Sequence, residues 1–140
     1  MSKKKAIKEI LKQFWNGVVK ESDVQWITKE LDRKPNFGPC GDLPAILNEM
    51  VNKGVDKRQI ARFARIMQYQ TLFQICYVLN GNLESDNPAV SWGLVEIEPK
   101  TGQILSELSN LDEQVLQADP EDNEMRPSND DDENYSVRII

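Results

Sequence analysis

The 140-residue chain contains no histidine. That absence removes the commonest general base, the usual nucleophile–base dyads and most zinc sites together. Ser91 and Ser106 therefore have no imidazole to activate them. Cysteine is nearly absent too: Cys40 sits in a Gly/Pro loop and Cys76 in an apolar helix. Neither spacing nor context makes a disulfide framework, and two thiols kept apart suit a reducing compartment. No apolar run approaches the roughly 18 residues that a membrane-spanning helix needs. The basic start MSKKKAIKEILKQF is interrupted by Lys8, Glu9 and Lys12 before a signal-type apolar core can form. A cytoplasmic protein with no membrane partner is expected.

Cofactor and metal motifs are missing as well. Gly38-Pro-Cys-Gly41 lacks the following Lys-Ser/Thr and the preceding strand of a phosphate loop. The run Asp130-Asp131-Asp132-Glu133 has the composition of a calcium loop without its spaced ligands or central glycine. No catalytic residue, cofactor or metal is expected.

What the chain does have is a sharp division of charge. Residues 1–80 carry 14 Lys+Arg against 8 Asp+Glu, a balance of +6, and residues 81–140 carry 3 against 15, a balance of −12. The two make the overall −6. Such a layout favours either an acidic half folded onto a basic half or two patches offered to different partners. Apolar residues at 39% are enough for a core in a chain of this length.

The longest element is the stretch DKRQIARFARIMQYQTLFQICYVLN, residues 56–80. Its spacing predicts one uninterrupted helix, capped by Asp56 and stopped at Asn80-Gly81. Ile60, Phe63, Ala64, Met67, Leu72, Phe73, Ile75, Cys76, Val78 and Leu79 are expected to face inward, with other helices on several sides. Upstream, Ile7, Ile10, Leu11, Phe14, Trp15 and Val18 form a single helical stripe. Ser22 with Gln25 suggests a capping box before a short helix over about 23–33. Residues 34–42, KPNFGPCGD, are a loop, and Asp42 with Pro44 opens a helix that Gly54 ends.

Downstream, Val90, Trp92 and Leu94 alternate, and Val95 and Ile97 alternate on the opposite phase. Gly93 is the expected bulge between them. Pro99-Lys-Thr-Gly102 reads as a hairpin turn, and Gln103–Leu108 as the returning strand. Asn110–Gln117 reads as a short helix capped by Asn110 or Asp112. The expected fold is α+β, mainly α: a helical bundle around one long central helix, with an antiparallel β-hairpin and a short helix. Residues 1–119 form the expected domain, and residues 120–140 an acidic, poorly ordered tail with a terminal strand at Tyr135–Ile140.

Two candidate surfaces follow. The acidic one comprises Glu96, Glu98, Glu107, Asp112, Glu113, Asp119, Glu121, Asp122 and Glu124, and it suits a basic protein partner. Glu96 and Glu98, two apart on a strand, share a face that normally lies toward water, and Glu107 lies across the hairpin. The alternative is a basic face of Lys53, Lys57, Arg58, Arg62 and Arg65, suited to nucleic acid, an anion or the acidic tail. Gly54-x-x-x-x-Gln59-Ile60-Ala61 faintly echoes a helix-turn-helix, but the unbroken apolar stripe argues for one helix. Among the tryptophans, Trp15 or Trp26 is the expected exposed anchor, and Trp92 is expected to pack on the long helix. The leading expectation is a non-enzymatic acidic protein-binding module. By analogy of size and charge alone, a bacterial immunity protein or antitoxin that neutralises a basic partner is the nearest comparison.

Overall fold

A computed structural model describes residues 3–81, 89–121 and 124–127. The expected tail strand and Asp122 lie outside the described residues. The fold is α+β, mainly α, with the order α1 (Lys3–Asn16), α2 (Gln25–Asp32), α3 (Leu43–Asn52), α4 (Lys57–Leu79), β1 (Leu94–Ile97), β2 (Ile104–Leu108) and α5 (Leu111–Val115). The described residues pack as two compact units, one of Val18–Gln70 and the other of those within Met1–Gly17 and Thr71–Ile140. The boundary falls inside α4, which is a single 23-residue helix as its periodicity predicts.

The unit of Val18–Gln70 is held by Ile27 of α2, Leu47 of α3, and Ile60 and Ala61 of α4. Val24, Trp26, Leu31, Leu43, Met50 and Val51 pack around them. Full burial of each Ile or Leu contributes roughly 1.5–3 kcal/mol. The start of α2 is served differently from the sequence expectation, whereas α3 and α4 begin at the expected Asp42 and Asp56. The amide of Gln25 donates to Asp23 Oδ1 at 3.0 Å, so Asp23 rather than Ser22 serves the start of α2. Asp42 holds the cap position of α3 without a side-chain cap bond, and Pro44 supplies the preset start. Asp56 caps α4 as expected: Arg58 N–H donates to Asp56 Oδ1 at 2.7 Å, and Asp56 N–H donates to Gln59 Oε1 at 3.3 Å. This reciprocal pair is a variant of the capping box in which the cap accepts from the second helical amide and glutamine at the third position is the returning group.

The loop between α2 and α3 is closed by its own backbone. Asn36 N–H donates to Gly41 O at 3.0 Å, Gly41 N–H to Gly38 O at 2.9 Å, and Gly38 N–H to Asn36 Oδ1 at 2.8 Å. A Cβ on Gly41 would lie 2.3 Å from Asn36 O, so only glycine lets the two backbones approach.

The other unit buries Ala6, Ile7, Leu11 and Trp15 of α1, Leu72 and Cys76 of α4, Leu108 of β2, and Leu111 and Val115 of α5. The indole of Trp15 donates to Val115 O at 2.9 Å, tying α1 to α5. Asn80 stops α4 and starts α5 at once. Its Oδ1 accepts the Leu111 amide at 3.0 Å, and its Nδ2 donates to Asp112. Asn110 holds the cap position of α5, one of the two expected there, in a left-handed backbone with no side-chain cap bond, and the side-chain acceptor comes instead from Asn80.

β1 and β2 pair antiparallel, with Leu94 opposite Leu108, Val95 opposite Glu107, Glu96 opposite Ser106, and Ile97 opposite Ile104. The turn is the expected one, with Gly102 at φ +73. The bulge is not at Gly93, which precedes the strand. The register slips between Glu96 and Ile97 and leaves Leu105 of β2 as the extra residue.

The long helix is less covered than its composition predicts. Its buried residues are Ile60, Ala61 and Arg65 in one unit and Leu72 and Cys76 in the other. Phe63 (58% exposed), Met67, Phe73, Ile75 and Val78, expected inside, are exposed, the last four to between 39 and 46%. Apolar content showed that α4 had surface to bury but could not show how many neighbours would reach it.

Candidate functional site

The acidic surface is built on the hairpin and α5, and the fold uses several of its members internally. Glu98 closes the hairpin turn: the amides of Lys100 and Thr101 donate to its Oε2 at 3.0 and 2.7 Å. These backbone hydrogen bonds hold its carboxyl below the ordinary carboxylate range. Asp119 is buried, with its two oxygens accepting the amides of Glu121 at 3.0 Å and Met125 at 3.1 Å. Asp112 is half-buried against Asn80. Glu124 pairs with Arg126 at 3.2 Å. Glu96 is half-buried and accepts from the Ser106 hydroxyl at 3.3 Å. Glu107, Glu113 and Glu121 remain as exposed carboxylates.

The hairpin faces are inverted relative to the sequence reading. Leu94, Glu96, Ser106 and Leu108 lie on the more covered face. Val95, Ile97 (51% exposed), Ile104 (66%) and Leu105 point outward together with Glu107. Alternation fixed which residues share a face, but a two-stranded ribbon offers no sequence signal for which face is down. Glu107 stands opposite Val95 rather than Glu96, so the carboxylates do not converge as a catalytic pair. Among the described residues no group of three or more Cys, Asp or Glu is placed to hold a metal ion.

Beside this outward face lies an open groove of about 470 Å³, lined by Ser91, Trp92, Gly93, Val95, Ile104 and Glu107. The Trp92 indole donates to Val78 O at 2.6 Å, which fixes the ring on the end of α4, while 41% of the residue stays exposed. Trp92 is thus the exposed tryptophan. Trp15, one of the two expected anchors, is buried, and Trp26 is half-buried.

The basic face is reorganised more severely. Arg65 is 1% exposed, and its Nη1 donates to Val19 O at 2.8 Å. Gln68 Oε1 accepts the Val19 amide at 2.7 Å. Arg62 pairs with Glu21 at 3.5 Å. Residues 62, 65 and 68, three apart, therefore grip the segment entering α2 by its backbone and its carboxylate. Lys57 Nζ donates to Thr28 Oγ1 at 3.2 Å, and Lys53 pairs with Glu49 at 2.7 Å. Of the five basic residues, Lys53 and Arg58 are exposed. Arg58, Arg62 and Arg65 lie on one long helix, but Arg62 and Arg65 engage the segment entering α2 while Arg58 stays exposed, a split that spacing alone does not encode.

Cys76 is buried, and desolvation, helped by the nearby negative charge of Asp112, pushes its thiol up to about 11. It is a protonated core thiol. Cys40 is free and exposed. Among the described residues, no helix is long and apolar enough to cross a membrane. The chain matches no protein-family model, and no curated protein or solved structure resembles it significantly.

Proposed function

We propose that this chain is a non-enzymatic protein-binding module whose partner is basic and docks on the outward face of the hairpin. The observation that carries the reading is the exposed row Val95, Ile97, Ile104 and Leu105, interrupted by Glu107 and flanked along the chain by the exposed Glu113 and Glu121. Contiguous apolar surface with a charged surround is what protein interfaces expose before they assemble. Carboxylates there steer a basic partner and raise its association rate, so binding weakens as salt screens them. The size and charge also suit an immunity- or antitoxin-type protein that neutralises a basic toxin or nuclease, working in the cytoplasm.

The test uses the full chain as bait in extracts of its source cells, beside the charge-reversed variant Glu107→Lys/Glu113→Lys/Glu121→Lys. A basic protein retained at low salt, released as salt rises, and absent from the variant supports the reading. Capture that ignores both salt and charge reversal, or that vanishes on nuclease treatment, refutes it. The nucleic-acid alternative keeps less support, because Arg65 is buried and Arg62 is paired with Glu21.

A further inference from the structure

We propose that the groove beside Trp92 is a recognition site for one arginine side chain of the partner. The proposal rests on the protein-partner reading and names the group that enters. Three features of the groove converge on a planar cation. The first is a fixed aromatic face: Trp92 is anchored through its indole N–H to Val78 O at 2.6 Å, yet remains 41% exposed. The second is a carboxylate beside it. Glu107 Oε1 lies 3.7 Å from where a Cβ on Gly93 would sit, so the charge rests over the residue adjoining the tryptophan. The third is that the Glu107 carboxylate makes no hydrogen bond or ion pair with any described residue, so its charge is available to a visitor.

The walls decide which cation fits. Val95 and Ile104 line the open groove with apolar surface along which a long side chain can lie. An arginine lays its methylene stem on such walls, stacks its guanidinium on the indole, and directs paired N–H donors at the carboxylate. A lysine brings charge but no plane and no fork. A second copy of this chain is disfavoured at the same surface, because its own Glu107 and α5 carboxylates would meet like charge.

The experiment is an NMR titration of the ¹⁵N-labelled full chain with three short acetylated, amidated glycine peptides carrying arginine, lysine or the neutral isostere citrulline. The arginine peptide shifts the Trp92 indole N–H and the Gly93 amide at millimolar concentration. The lysine peptide acts several-fold more weakly and the citrulline peptide not at all. Glu107→Gln, a change at an exposed position, weakens the arginine effect about tenfold while leaving the rest of the spectrum in place. Equal responses to arginine and lysine overturn the arginine assignment. Shifts confined to Glu113 and Glu121 overturn the groove but leave the basic-partner reading standing. Shifts nowhere also overturn the groove, and the charge-reversal capture then decides the wider reading separately.

Discussion

Replacing Arg65 by alanine tests whether the grip of α4 on the segment entering α2 holds the Val18–Gln70 unit together. The guanidinium is almost fully buried and donates to Val19 O at 2.8 Å. A hydrogen bond from a charged donor contributes about 1.5–3 kcal/mol, and the part-buried Val19 carbonyl left without its donor adds a smaller cost. Truncating a large buried side chain to alanine adds a cavity, in a range of about 2–5 kcal/mol for whole residues. These effects overlap, so the expected loss is about 3–5 kcal/mol, a large share of a domain's usual 5–15 kcal/mol. Arg65→Met refills the volume and removes the buried charge, so it costs less than alanine. Arg62→Ala, which breaks a 3.5 Å pair with a partly exposed Glu21, costs about 1 kcal/mol or less. Urea denaturation followed by circular dichroism gives the three values, and amide exchange at Ile27 and Ala61 localises the effect. Should Arg65→Ala fall within about 1 kcal/mol of wild type, the buried arginine is not a structural tie.

Asn80→Ala removes the acceptor for the Leu111 amide and the donor to Asp112, and it should cost about 1–2 kcal/mol. Exchange at Leu111 should rise first, and unchanged protection there would refute the cap. Cys76, with its thiol pushed up to about 11, stays neutral in the folded chain where an unfolded chain would ionise. Its contribution is therefore intact below pH about 9 and lost as pH rises toward 11, and Cys76→Ala should flatten that alkaline decline. A thiol reagent at pH 8 should find Cys40 alone until denaturant exposes the second. Glu98 has the opposite sign: its lowered carboxyl stabilises the turn above the ordinary carboxylate range and releases it as pH falls through the depressed value. The Lys100 and Thr101 amide shifts should follow that titration, and in Glu98→Gln they should not. Gly41→Ala forces Asn36 O away from a Cβ at 2.3 Å and should open the loop, read as loss of Gly41 and Asn36 amide protection.

Local chemistry, readable from order alone, determined the elements: the unbroken helix Lys57–Leu79, the cap at Asp56, the stop at Gly54, and the turn ending at Gly102. Each depends on neighbours a few residues apart, so periodicity and capping residues suffice. The division of charge was equally plain. Tertiary structure decided which surface each residue meets. It turned Arg65 inward onto Val19, used Asn80 to cap α5 from 31 residues away, engaged Glu98 and Asp119 with backbone amides, and left Ile97 and Ile104 facing water. The physical reason is that side-chain period fixes which residues share a face. Which face is covered depends on packing against segments distant in sequence, and no local pattern encodes that choice.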